Sequence, residues 1–153
     1  MAPGIELKEL IYDACLKVVN ERLQYSRMAM DDAQVAANEE EKSSAGDKYE
    51  TGRAMAQIER DKAAIQVAEA LKMHDALKKI DPIRMHQKIE WGSLIQTDRG
   101  WYFLAVALGR IQAAEMDCMA ISPVSPLGKL LVGKIKGERI VVNGQPIFIS
   151  AVY

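Results

Sequence analysis

The chain has 153 residues, with 20 Lys and Arg against 21 Asp and Glu, two His, two Cys and 49% hydrophobic residues. That length holds one ordinary domain, or a small domain with an extended element, and excludes a large multidomain enzyme. No stretch approaches the ~20 apolar residues of a membrane span, and Met1-Ala2-Pro3-Gly4-Ile5-Glu6 lacks the basic-then-apolar start of a leader, so a cytoplasmic protein without membrane contact is expected.

Charge is unevenly placed. Residues 31–50 hold seven acids and two bases, whereas the remainder has 18 bases and 14 acids. An acidic segment on a mildly basic body suits a cationic or metal-bearing partner, or else is a solvated loop. No Lys/Arg cluster interleaved with aromatics marks a nucleic-acid groove.

From Ile5 to Ile80 there is no Pro, and Gly occurs only at Gly46 and Gly52. Tyr12, Leu16, Val19, Leu23, Ser26, Met30, Ala33 and Ala37 follow the alternating four-and-three spacing of a coiled-coil seam. Met55, Ile58, Ile65, Ala68 and Leu71 form a second periodic run, and Ser43-Ser44-Ala45-Gly46-Asp47 between the runs is turn-prone. Two helices joined by a short turn predict an antiparallel hairpin, with small residues (Ala33, Ala37, Ala54) letting its arms approach closely near the turn. A helical bundle completed by a second chain fits the same pattern.

Composition shifts near Asp81-Pro82, after which four of the five prolines and seven of the ten glycines occur. Residues 1–80 are therefore expected to form the helical hairpin, and 81–153 a second domain. Gly92 to Thr97 and Trp101 to Val106 read as a β-hairpin, and Arg110 to Ala114 and Met116 to Ile121 as weaker strands. Pro126 to Val132 reads as a short helix with Pro in its first turn. Glu138 to Val142 and Pro146 to Val152 form another hairpin around Asn143-Gly144. The expected fold is α+β, a helical hairpin with a small antiparallel β-rich domain carrying one short helix.

Catalytic raw material is thin. His74 and His86 have no neighbouring nucleophile and read as surface residues. Gly128-Lys129 lacks the flanking residues of a phosphate loop, and Cys15 and Cys118 stand alone, with no disulfide framework or zinc spacing. Asp47 and Glu50, three apart at the start of the second helix, would share a face, as a partial divalent-cation site or as helix-dipole compensation.

Ile121-Ser122-Pro123-Val124-Ser125-Pro126-Leu127-Gly128-Lys129-Leu130-Leu131-Val132-Gly133-Lys134-Ile135-Lys136-Gly137-Glu138 resembles the Ser-Pro-Leu-Gly…Leu-Leu-Gly-Lys…Gly-Asp/Glu stretch of bacterial Gre transcript-cleavage factors. The order of parts is similar to that family's: a coiled coil, then an FKBP-like domain. The sharp motif covers these 18 residues, and the architectural likeness nearly all of the chain. The resemblance implies a transcription elongation factor that binds RNA polymerase and touches RNA only indirectly. Its hairpin would enter the secondary channel, and its tip carboxylates would help hold a Mg²⁺ of the polymerase site.

On that footing Asp47 and Glu50 are the shared metal ligands, and Ser122 and Pro126 the docking contacts. The chain would not be an enzyme by itself and would hold no tightly bound cofactor. Gly46-Asp47-Lys48-Tyr49-Glu50 keeps the family's Gly-Asp and the acid three positions on, but not its Asn-Ala-Glu-Tyr. Stimulated cleavage of backtracked RNA and channel occupancy without cleavage both remain open, as does a hairpin adaptor unrelated to transcription.

Overall fold

The computed structural model describes residues 3–42 and 46–153, with side chains for 4–39 and 50–153. The chain divides into two compact units, one of Met1–Lys17 with Asp75–Tyr153, the other of Val18–His74. Helix α1 spans Pro3–Lys42 and helix α2 spans Gly46–Lys78.

The helical unit is an antiparallel pair. Arg60 donates to the Gln34 side chain at 2.9 Å, while Arg22, Tyr25 and Ser26 share a cleft with Gln66, Glu69 and Ala70. The partner's number falls as that on α1 rises, so the helices run in opposite directions. On α1 the seam is the expected one, with Val19, Ser26, Ala33 and Ala37 buried and Leu23 and Met30 half-buried.

On α2 the inward stripe is Ala56, Arg60, Ala63, Val67, Ala70 and His74, again with four-and-three spacing. Met55, Ile58 and Ile65 of the second periodic run do share a face, but it is the outward one. They are 54–63% exposed. Ala54 is also exposed, and Ala56 takes the inward place. The reason is steric: Ala lets two helix backbones approach closely, and Ile at those positions would hold them apart.

In the other unit, β1 (Leu94–Thr97), β2 (Gly100–Leu104), β3 (Gly109–Ala113), β4 (Met116–Ile121), β5 (Arg139–Val142) and β6 (Gln145–Val152) form one sheet of order β3-β4-β2-β1-β6-β5. All pairings are antiparallel except β2 with β4, which are parallel with Phe103 opposite Ala120. The β5–β6 turn is Asn143-Gly144, both with positive φ (51° and 77°), as its composition demands. The β3–β4 turn uses Ala114 and Glu115 with φ of 50° and 62°, a conformation that L-residues other than Asn and Asp adopt at a cost.

Two-residue periodicity sorts the strands into two faces. Ile95, Leu104, Ile140, Ile147 and Ile149 form one apolar layer with Ile89 and with Leu131 of helix α3 (Pro126–Leu131). Leu94, Phe103, Ile111, Cys118 and Ala120 lie on the other face, all at most 3% exposed. The first turns of α1 supply more apolar surface to this unit, where Ile5, Ile11 and Cys15 are buried. Gly4 lies against the ring of Tyr153, where any Cβ would collide. That ring in turn stacks on Trp101 at 6.3 Å.

Candidate functional site

Asp47 and Glu50 lie at the start of α2. Gly46 opens the helix; the side chain of Asp47 lies outside the described residues, and that of Glu50 is exposed. Among the described residues no three His, Cys, Asp or Glu side chains assemble where a metal ion would bind. Both tip acids belong to the helical unit, and Ser122 and Pro126 to the sheet unit.

Ser122 and Pro126 are brought together in one capped turn. Ser125 is the N-cap of α3, in extended conformation, and its Oγ accepts from the Gly128 N–H at 3.0 Å. The same hydroxyl donates to the Ser122 carbonyl at 2.6 Å, and the Ser125 N–H donates to it at 3.1 Å. Ser122 Oγ accepts from the Val124 N–H at 3.2 Å. Gly128 sits so close to the Ser122 carbonyl that a Cβ would collide with it.

The Ser122 carbonyl and the two serine hydroxyls are thereby engaged within the turn, and of its apolar members Leu127 packs on the core while two face outward. Val124 is 73% exposed and Pro126 is exposed, whereas Ser122 is half-buried. Ser122 thus contributes its carbonyl and hydroxyl to the turn itself.

A second constellation was not foreseen. Lys8 is fully buried. Its Nζ donates to the Arg84 carbonyl at 2.7 Å and to the Tyr153 carbonyl at 3.2 Å, and stands 3.4 Å from His86 Nδ1. His86 is buried too, not a surface residue, with Nδ1 2.9 Å from Ser93 Oγ and Nε2 3.1 Å from Glu90. Burial lowers the Lys8 pKa to about 8, against the opposing pull of Asp81 and Glu90.

Burial and then the Lys8 charge also hold His86 below its ordinary value. The imidazole is therefore neutral at pH 7, with Nδ1 facing Ser93 Oγ and Lys8 Nζ and Nε2 facing Glu90. This network ties the first turns of α1 to residues 84–93 and to Tyr153, just past β6. A signal for it existed: Lys8 falls on the face of Ile5, Tyr12 and Cys15, at three-and-four spacing.

Cys15 and Cys118 are buried free thiols. Burial pushes both to about 12, with Cys15 adding to the rise at Cys118. Among the described residues no helix is long and apolar enough to cross a membrane.

No family model matches the chain. No curated protein matches it. Among solved structures it is similar to the transcription factor Gfh1, at 18% identity and a TM-score of 0.38, over 92% of this chain and 94% of that one.

Proposed function

We propose that this chain is a Gre-like transcription factor that binds RNA polymerase, its helical pair entering the secondary channel and its sheet unit gripping the enzyme outside. The observation that carries this reading is the capped turn at 122–128. The segment with the sharpest family resemblance folds so that its serine hydroxyls bond within the turn while Val124 and Pro126 face solvent. An antiparallel helical pair in the same chain supports it.

At the tip, Glu50 is exposed and, with Asp47, would offer carboxylate oxygens to a divalent cation. Mg²⁺ takes about six oxygen ligands, so two carboxylates serve only inside a site that supplies the others. In the polymerase such an ion would activate water and stabilise charge on the scissile phosphate. The chain would thus lend ligands to another protein's chemistry without being an enzyme or holding a tight cofactor of its own. RNA would be met only within the elongation complex, in the cytoplasm.

Stalled elongation complexes incubated with the protein test this reading. Release of short 3′ RNA fragments, abolished by Asp47→Asn or Glu50→Gln with binding retained, is the expected result. Binding with no cleavage would assign a channel-occupying regulator. Failure to retain polymerase in a pull-down would leave the hairpin-adaptor reading and overturn the proposal.

A further inference from the structure

Strand β5 ends the sheet and pairs with β6 alone. Among the described residues no backbone group bonds to its outer edge. The register fixes which groups face that edge. Val141 lies opposite Pro146, and proline has no N–H to give. Residue pairs in an antiparallel ladder alternate between exchanging both bonds and exchanging none.

The Val141/Pro146 pair is of the second kind. The N–H and C=O of Val141, and by the two-residue repeat those of Arg139, therefore point away from β6. The Ile149 N–H donating to the Glu138 carbonyl at 2.9 Å sets the same phase.

Beside this edge runs an open cleft of about 440 Å³, lined by Lys129 and Leu130 of α3, Val132 and Lys134 just beyond it, and Arg139 and Val141 of β5. Leu130, Val132 and Val141 are 42–56% exposed. The three cations join no ion pair among the described residues, and no acid lines the cleft. Lys and Arg alone on an edge strand guard against unwanted pairing. Here two of the three cations lie off the strand, and half-exposed aliphatic side chains stand among them. Cations, aliphatic side chains and unpaired amides together match a strand that brings carboxylates, small apolar groups and its own backbone.

We propose that the free edge of β5 and the cleft beside α3 accept an extended, acidic and apolar segment of a partner protein as an added strand. This holds whether or not the partner is a polymerase. The added strand would take up the outward amides of Arg139 and Val141, cover Leu130 and Val132, and set its carboxylates against Lys129, Lys134 and Arg139.

The full chain titrated with a fluorescein-labelled peptide of about eight alternating Glu and Val residues, a typical strand length, tests the proposal by anisotropy and by amide resonances. Saturable binding with shifts concentrated at residues 139–142 is expected. A peptide with Lys for Glu, and one with alternate backbone nitrogens methylated, should each bind at least about tenfold more weakly. Val141→Pro removes an outward N–H without deleting a bond to β6, and should weaken binding about tenfold.

If Val141→Pro lowers the melting temperature, Lys129→Glu, on α3 and outside the ladder, takes its place with the same expected loss. Equal binding of the methylated peptide, undiminished binding by the chosen variant, or no saturation up to about 1 mM, the weak end of specific association, would each overturn the proposal.

Discussion

The Nζ of Lys8 stands 3.4 Å from Nδ1 of His86, a lysine without solvent contact donating toward an imidazole. Because burial lowers the Lys8 pKa from 10.5 to about 8, the unfolded chain binds more protons than the folded one between those values. Stability therefore rises with pH across that window, and the cost of the buried charge is fully present below about pH 8. Lys8→Met removes this dependence. The unfolding free energy of the native protein minus that of Lys8→Met should climb by about 1–2 kcal/mol from pH 8 to 10, read by urea denaturation at successive pH values.

His86 carries the same sign lower on the scale. Its pKa is held below 6.5, so the unfolded chain takes up the proton first as pH falls, and stability is lost below about pH 6.5. In His86→Gln that loss should be shallower than in the native protein. Parallel urea titrations at pH 7 and pH 5.5 check this, and equal slopes would refute it.

The turn before α3 tolerates no side chain at Gly128, where the Ser122 carbonyl occupies the space a Cβ needs. Gly128→Ala should destabilise the protein by about 2 kcal/mol or more. Ser125→Ala loses the helix cap at a cost of about 1 kcal/mol. Thermal unfolding compares them; an alanine at 128 as stable as glycine would contradict the packing described.

Ala114 and Glu115 hold positive φ in the β3–β4 turn. Glu115→Gly relieves that conformation where the side chain lies in no core, and should stabilise by about 0.5–1 kcal/mol. A chemical denaturation midpoint that moves down instead would contradict the assigned turn.

The inward and outward faces of α2 should respond oppositely to substitution. Ala63→Leu overpacks the seam and should cost about 1–3 kcal/mol. Ile65→Gln, on the exposed side, should change stability by no more than about 0.5 kcal/mol. Reversal of these two results would place the seam on the other stripe.

The α1 seam was legible because large side chains such as Leu16, Val19 and Leu23 mark it at regular spacing. The α2 seam was not, since its members are mostly alanine, and periodicity weighted by side-chain size finds the larger outward residues instead. The Asn143-Gly144 hairpin was legible from turn chemistry, whereas Ala114-Glu115 carries none. Reading strands as successive hairpins leaves no place for the parallel β2–β4 pairing, which depends on how the chain crosses between hairpins.

The motif at 121–138 did not show how the turn before α3 is built. Ser125 and Gly128 build the cap, Val124 and Pro126 face outward, and Ser122 joins the two. The Lys8 network eluded composition because a lysine is ordinarily a surface residue. Only the meeting of α1 with residues 84–93 and with Tyr153 gives its ammonium three partners.

The two thiols have a practical corollary. With Cys15 and Cys118 sealed and held at about 12, maleimide reagents at neutral pH find almost no thiolate in the native fold. A cysteine introduced at Glu50 would therefore take up a spin label or fluorophore alone, making the wild-type chain a ready background for tracking the helical unit by spectroscopy.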